Sequence, residues 1–168
     1  GRGGMAIVHE AEQKVLGRKV AVKSSGQPGD QTRGVLLNEA RVTGALEHPG
    51  ILPVHDILVD ETGSPHIVMK RIDGAAWGAL VHDADAVRER FGRDDLLGWN
   101  LDVLVAVCHA VEFAHSMRII HRDLKPDNVM VAAYGQIYVL DWGVALSLDP
   151  TEQRFPRVAD TDRLMGTP

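Results

Sequence analysis

Two stretches near the start of the chain are rich in valine, isoleucine and alanine, and they predict a pair of β-strands. The stretches are "MAIVHEAEQ" and "RKVAVK", and a short turn around Leu16 and Gly17 separates them. After them, "RGVLLNEARVTGALEH" predicts one helix, which the pair Pro49 and Gly50 ends. Its helical spacing is carried by Leu37, Ala40, Arg41, Gly44 and Ala45.

Two further segments, "ILPVHDILVD" and "HIVMKRI", predict a hairpin that turns at residues 62–64. Pro53 makes the first strand irregular or places it at a sheet edge, because proline cannot donate to a strand ladder. A long helix follows, and its apolar stripe predicts the face that must be buried. The stripe consists of Leu97, Leu101, Leu104, Val105, Cys108, Val111 and His115. Within it, Cys108 is expected to be a small buried core residue.

The last part of the chain predicts a second small hairpin and then a loop. The strands are "VMVA" and "IYVLD", on either side of "AYGQ". From Val144 onward the composition turns to aspartate, threonine, proline and arginine with little periodicity, which predicts a mobile loop. The order of elements therefore predicts an α+β fold with a sheet-rich first lobe and a helix-rich second lobe.

Composition narrows the function classes. The chain has 168 residues, 45% of them hydrophobic, with 18 basic and 23 acidic side chains and a net charge of -5. The basic residues form no block, so neither nucleic acid nor membrane is an expected partner of this segment. One cysteine cannot form an internal disulfide, and no stretch approaches the roughly 18 continuous apolar residues of a membrane span. We expect a soluble, cytoplasmic protein, and the spacing of its histidines indicates no zinc site.

The octet "HRDLKPDN", residues 121–128, brings together the side chains that phosphoryl transfer needs. Asp123 can accept a proton from an attacking hydroxyl, Lys125 can neutralise charge on the transferring group, and the Asn128 amide oxygen can ligate a hard cation. Asp141 follows thirteen residues later in "LDWG", beyond the small hairpin. A second oxygen ligand beside Asn128 makes a Mg²⁺ site plausible.

The start of the chain supplies a complementary phosphate-binding pattern. Glycines in "GRGGMAIV" would let backbone N–H groups approach phosphate oxygens. Lys23 ends an apolar strand, where a charge is costly to bury without a partner. Glu39 on the following helix can supply that partner, and the pair would present a fixed positive charge to phosphates.

Together these motifs resemble the protein kinase family. "GRGGMAIV", "VAVK" ending at Lys23, Glu39, "HRDLKPDN" and the "DWG" at Asp141 occur in that family's order and at fitting separations. The variants "GRGGM", "HPGI", "DNVM" and "DWG" are similar to bacterial eukaryotic-like serine/threonine kinases, and the resemblance covers essentially the whole chain. It implies a bilobal fold, with an N-lobe over residues 1–72 and a partial C-lobe over residues 73–168.

The resemblance also implies catalytic roles. Asp123 would be the catalytic base, Lys125 would meet the transferring phosphoryl group, and Asn128 and Asp141 would hold Mg²⁺. Thr167 in "GTP" is similar to the threonine that marks serine/threonine specificity.

The phosphates of ATP would meet the glycine loop and the strand lysine. The implied phosphate-binding residues are Gly1, Gly3, Gly4 and Lys23. Lys23 would contact the α- and β-phosphates while paired with Glu39. Ala6 replaces the third glycine of the family's pattern, a mild departure that would stiffen the loop.

The adenine would lie in a pocket lined by both lobes. Val8 and Ala21 would form its roof, Met130 its floor and Met69 its back. The backbone from Lys70 to Ile72 would hydrogen-bond the adenine edge, which leaves their side chains little role in binding. Lys70 departs from the family, whose residue at this position is often acidic.

Control by phosphorylation is a further implication. Arg122, beside Asp123, could pair with a phosphothreonine in the loop after Asp141 and so order that loop. Thr161 is the favoured site, and Ser147 and Thr151 compete with it.

Three functions remain open at this level. The first is ATP-dependent phosphorylation of serine or threonine hydroxyls on proteins, the kinase itself included; the second is a nucleotide-binding pseudokinase scaffold. A small-molecule phosphotransferase is the third, which Lys125 and "GTP" disfavour. Compared with the family the chain is truncated at both ends, so we expect a fragment whose long helix lacks cover and whose activity alone is weak or absent.

Overall fold

The computed structural model describes residues 2–3, 6–26 and 30–160, and shows an α+β architecture. Its larger sheet is antiparallel with strand order β1-β2-β3-β5-β4. The strands are β1 Arg2–Gly3, β2 Ala6–Gln13, β3 Arg18–Ser25, β4 Val54–Val59 and β5 Pro65–Lys70. Both strand pairs predicted from the pattern of apolar residues are confirmed.

Local chemistry accounts for the shape of this sheet. Gly17 joins β2 to β3 in the left-handed conformation, with φ of 59°, which glycine adopts at no steric cost. β4 is the edge strand of the sheet, and its pairing with β5 shifts register between Val54 and Asp56. Pro53 immediately precedes this irregularity, so the prediction of an edge or irregular strand is confirmed.

The first helix, α1, spans Asp30–Ala45 and packs on the sheet. Leu36 and Ala40 of the helix form a cluster with Ile67 of β5, and Val54 and Ile57 border it. The helix begins three residues earlier and ends three residues earlier than the predicted segment. Its placement brings Glu39 over β3, as the catalytic hypothesis requires.

The second part of the chain is helical with small sheets. Its elements are β6 Gly74–Ala76, α2 Ala84–Phe91, α3 Leu96–Ser116, β7 Ile119–Ile120, β8 Val129–Ala132, β9 Ile137–Val139 and β10 Leu146–Ser147. β6, β8 and β9 form a three-stranded sheet, which confirms the second predicted hairpin, and β10 pairs with β7. The segment after Val144 is therefore not wholly irregular. Within it, β10 pairs with β7, and Ser147 forms a parallel bridge with Arg157.

The buried face of α3 differs from the predicted one. The residues that enter the core are Trp99, Val103, Val107, Ala110 and Ala114. Most of the predicted stripe faces solvent, with Leu97 71% and Val105 53% exposed, and Cys108 is also exposed. The expectation of a buried Cys108 is wrong, because α3 is apolar around most of its circumference and periodicity alone cannot identify the packed side.

Within the described ranges, α3 is also the one helix long and apolar enough to span a membrane. Only 22% of its most apolar window is buried. Core helices of soluble proteins have the same length and composition, so this feature alone is weak evidence for a membrane span.

The loop after α1 connects the two parts of the molecule. Ile51 forms a parallel bridge with Val139 of β9, and the Val139 N–H donates to the Gly50 carbonyl over 2.8 Å. Ile51 and Val139 both lie in the largest hydrophobic cluster, together with Trp142. The division at residues 72 and 73 remains a prediction, although the five-stranded sheet does end at Lys70.

Candidate active site

The octet forms the loop between β7 and β8, and His121 fixes its shape. His121 Nδ1 accepts the Asp123 N–H over 3.2 Å, so Nε2 carries the proton and donates to the Leu140 carbonyl over 2.9 Å. The ring is 4% exposed and lies 4.6 Å from the Trp142 ring. Burial lowers the pKa of His121 below its usual value, against the opposing effects of its carbonyl partner and two carboxylates. His121 therefore positions the loop as a neutral imidazole.

The Asp123 carboxylate is held by two neighbours from the same loop. Lys125 Nζ lies 3.0 Å from Oδ2 and 3.3 Å from Oδ1. The Asn128 amide donates to the Asp123 carbonyl over 2.8 Å and to its Oδ2 over 3.1 Å. These contacts orient an acceptor that a substrate hydroxyl could approach, since the Asp123 side chain remains 20% exposed.

Lys23, Glu39 and Asp141 meet on the other side of the site. Lys23 Nζ lies 2.5 Å from Glu39 Oε1 and 3.7 Å from Asp141 Oδ1. The side chains of Lys23 and Glu39 are 15% and 12% exposed, whereas that of Asp141 is 52% exposed. The predicted ion pair is present, and the half-exposed Asp141 carboxylate remains accessible to a ligand.

Burial raises the pKa of Glu39, and this effect exceeds the opposing charge and hydrogen bond of Lys23. Asp141 raises the Glu39 pKa further by repulsion. The contact with Lys23 is therefore what favours the ionised form of a carboxyl that its surroundings disfavour. Without Lys23, Glu39 would more readily take up a proton and lose its orienting charge.

Gly143 is a site residue that sequence reasoning did not single out. A Cβ at this position would lie 3.3 Å from Asp141 Oδ1 and 3.6 Å from Glu39 Oε2. A glycine here lets the chain pass close to both carboxylates. The last letter of "DWG" marked its position, but only the fold shows which groups approach it.

The predicted adenine-pocket residues divide between the two sheets. In the larger sheet, Val8 is opposite Lys23, and Ala21 is opposite Met69. Opposed residues, and residues two apart on a strand, share a face, so these side chains lie on the face that carries Lys23. Met130 lies on β8, opposite Ala76 of β6 and Tyr138 of β9.

The hinge residues and the remaining predicted positions complete the description. The Lys70 N–H donates to the Pro53 carbonyl over 3.0 Å, and Ile72 lies in the connection between β5 and β6. Gly3 pairs with Ala6 at the turn between β1 and β2. Gly1, Gly4, Thr161 and Thr167 lie outside the described residues. Of the competing phosphorylation sites, Ser147 is 2% exposed and so inaccessible in this conformation, whereas Thr151 is exposed.

The oxygen donors present fit a Mg²⁺ ion bound together with phosphates. Asn128 accepts the Leu140 N–H at its backbone carbonyl over 2.8 Å, which brings Asn128 beside the start of "DWG". An amide oxygen and a carboxylate are hard ligands, and Mg²⁺ commonly takes one or two protein ligands and completes its shell with water and phosphate oxygens. Over residues 2–3, 6–26 and 30–160, no group of three or more His, Cys, Asp or Glu side chains is arranged to hold a metal.

Trp142, directly after Asp141, fills a hydrophobic position. Its side chain is fully buried in the main cluster. Its indole Nε1 has no hydrogen-bond partner among the described residues, and a buried unpaired donor is costly.

Comparisons with known proteins agree with these features. The family model described as "Protein kinase domain" matches residues 1–168. A probable serine/threonine-protein kinase of Streptomyces coelicolor is 36% identical over 156 residues, which cover 88% of this chain and 22% of the relative. The serine/threonine-protein kinase PknD of Chlamydia felis is 33% identical over 159 residues, which cover 91% of this chain and 17% of the relative. The chain thus spans about one fifth of the length of these relatives.

Proposed function

Because this chain belongs to the protein kinase domain family, we propose that it transfers the γ-phosphoryl group of ATP to serine or threonine hydroxyls of proteins, its own included. The family match covers all residues, and the similar proteins are named as serine/threonine-protein kinases. Protein kinases in general use ATP and Mg²⁺.

The observation that carries the proposal is a pair of polar clusters, linked by the backbone hydrogen bond from the Leu140 N–H to the Asn128 carbonyl. In the first, Lys23 of the five-stranded sheet pairs with Glu39 of α1 and lies 3.7 Å from Asp141 Oδ1. Asp123, Lys125 and Asn128 form the second group within one loop. A binding scaffold has no need to keep all of these contacts, so they support turnover over the pseudokinase alternative.

Each group has a task in the proposed reaction. The Lys23 ammonium, oriented by Glu39, would bind phosphate oxygens and hold them in line with the acceptor. Asp123 would accept the proton of the attacking hydroxyl, and Lys125 would stabilise negative charge on the transferring group. Asn128 and Asp141 would hold Mg²⁺, which, when bound, neutralises charge on the β- and γ-phosphates.

Transfer of labelled γ-phosphate from Mg-ATP to a generic protein acceptor tests the proposal. The full-length protein is compared with its Asp123→Asn variant, in which the general base is lost and the shape is nearly kept. We expect a loss of about 10²–10⁴-fold in transfer, as for removal of a general base. A matched control is Asp102→Asn on α3, which breaks only a surface ion pair to Arg93.

The outcomes separate the functions. Absence of transfer in the wild type, with Mg-ATP still raising the melting temperature, would establish the scaffold instead. Transfer to free hydroxyl compounds in place of protein would establish the small-molecule phosphotransferase. Autophosphorylation is read from the label on the protein itself.

We propose a cytoplasmic location for this domain, where ATP and reduced cysteine are both present. The support is compositional: one cysteine, with no possible internal disulfide. Cell fractionation followed by detection of the protein tests it.

A further inference from the structure

The side chain of Lys70 links the two sheets behind the candidate nucleotide site. Lys70 is the last residue of β5, and its ammonium donates a hydrogen bond to the Tyr138 hydroxyl on β9. The ammonium lies 4.7 Å from the centroid of the Tyr138 ring. Tyr138 in turn donates from its hydroxyl to Gln136 Oε1 over 3.0 Å. We call the Lys70–Tyr138 contact the hinge clasp.

An ion pair does not account for the position of Lys70. No carboxylate lies within ion-pair distance of its ammonium in the part of the chain that the structure describes. The pKa of His55 is lowered by burial first, and then by the positive charges of Arg18 and Lys70. The Lys70 ammonium therefore lies near another positive charge, and its contacts with the Tyr138 hydroxyl and ring hold it there.

The Tyr138 side chain is held in place by burial and by strand pairing. It is 4% exposed, and it pairs with Met130 across the β8–β9 ladder. Three residues later the same strand leads into Asp141. On the other side, Lys70 begins the backbone stretch 70–72 that separates the five-stranded sheet from β6. The hinge clasp thus joins the end of one sheet to the strand that carries the metal-binding segment.

We propose that the hinge clasp restrains opening of the cleft between the two sheets and thereby slows nucleotide release. The inference rests on the proposed function, since it concerns release of the nucleotide from that site. Lys70 is on this view a positioning residue that acts through Tyr138, and its side chain need not touch the nucleotide. An opening that moves the end of β5 away from β9 would break this hydrogen bond, whose donor is charged and whose acceptor is nearly fully buried.

The test is a double-mutant cycle on nucleotide release. Lys70→Met keeps an apolar stem and removes the donor, while Tyr138→Phe keeps the ring and removes the acceptor. Release of a fluorescent ADP analogue from the full-length protein is followed by stopped flow. We expect each variant to release the analogue roughly 3- to 10-fold faster, and the double variant to be no faster than the faster single variant, because both changes break one contact.

Two further variants sharpen the result. Lys70→Arg keeps a donor at this position and should restore slow release at least in part. Lys19→Met is the matched control, since the Lys19 ammonium on β3 pairs with Glu10 of β2 inside the larger sheet. Its release rate should equal that of the wild type.

Unchanged release in Lys70→Met or Tyr138→Phe, or strictly additive effects of the two, would overturn the hinge clasp while leaving phosphoryl transfer intact. Failure of the wild type to bind any nucleotide would instead remove the proposed function. The same double-mutant cycle can be measured on the free energy of chemical unfolding without nucleotide. A coupling energy near zero would refute the Lys70–Tyr138 contact, and a clear coupling energy would support it.

Discussion

Two aspartate-centred loops of this chain use similar hydrogen bonds in different surroundings. Asp60, in the turn between β4 and β5, accepts N–H groups of Thr62 and Ser64, each over 2.9 Å, and contacts His66 Nε2 at 3.0 Å. Asp123 is held by Lys125 and Asn128 in the loop after β7. The Asp60 turn lies at the surface, whereas the Asp123 loop is anchored by a histidine that is 4% exposed. The first network closes a turn, and the second holds a reactive group in place.

The two loops also differ in which residues adopt a left-handed backbone conformation. Gly63 occupies the left-handed position in the turn, with φ of 77°. Glycine adopts this conformation without steric strain. The octet places Arg122 at φ of 72°, and Asp141 beside it has φ of 58°. Such conformations cost free energy in residues with side chains and are kept where the surroundings impose them. Among the described residues with side chains, Arg122 and Asp141 at the candidate active site have positive φ, as do Arg118 and Tyr134 elsewhere, whereas the Asp60 turn has none.

The largest contrast is expected from removing one donor to each aspartate. Asn128→Ala removes the amide that orients Asp123 and a predicted Mg²⁺ ligand, and should reduce phosphoryl transfer by about 10- to 100-fold. Thr62→Ala removes the equivalent hydroxyl, 2.6 Å from Asp60 Oδ1, and should leave transfer within about twofold of wild type. Steady-state transfer rates measure both, and equal losses would contradict the division between the two loops.

The next effect concerns the histidine of each loop. His121→Phe keeps a buried ring but leaves the Asp123 N–H and the Leu140 carbonyl without their partner. We expect a loss of about 2 kcal/mol in the free energy of unfolding, measured by urea titration. His66→Phe should cost clearly less, because the His66 side chain is 29% exposed, and a larger loss there would reverse the comparison.

The Gly63→Ala change should be smaller still, at about 1 kcal/mol. An added methyl group would be strained at this φ and would lie 2.7 Å from the end of the Arg33 side chain. Thermal unfolding measures the effect, with Gly92→Ala as control because that glycine has φ of 65° and open space around it. Equal losses of stability at Gly63 and Gly92 would mean that backbone strain alone causes the loss. A larger loss at Gly63 would mean that the close contact with Arg33 also contributes.

The smallest effects separate the two loops by pH. The lowered pKa of His121 means that the unfolded chain binds more protons, so its contribution to stability is present above about pH 6.5 and is lost as pH falls through the folded-state pKa. Asp60 also has a lowered pKa, chiefly through its hydrogen bond from Thr62, but its contribution is lost only below its ordinary value of 3.8. The free energy of unfolding can be measured as a function of pH. His121→Phe should weaken its pH dependence below about pH 6.5, and Asp60→Asn should weaken it below about pH 3.8. An exchange of the two pH ranges would contradict these assignments.

Features with strong local patterns were predictable from the sequence. Short apolar runs predicted β2, β3, β8 and β9, and Pro53 predicted an irregular edge strand. "VAVK" and Glu39 predicted the ion pair, and the octet and "DWG" predicted the Asp123 loop and Asp141, because the residue types and their order match one known family. In each case the information lies within a few neighbouring residues or in a motif.

Features that depend on distant contacts were not predictable. β7 and β10 are two residues long, and each exists only through its partner. The hinge clasp joins residues 68 positions apart in the sequence. The buried side of α3 could not be identified because apolar residues surround the helix, and the choice between its faces is made by the sheets and loops that pack on it.

The exposed face of α3 also has a practical consequence. Cys108 lies on it beside Leu101, Leu104 and Val105, which are all exposed. A thiol-reactive dye can therefore serve as a chemical reporter of this face. Rapid labelling would show that the face is open to water in solution, and protection in the full-length protein would show that another surface covers it.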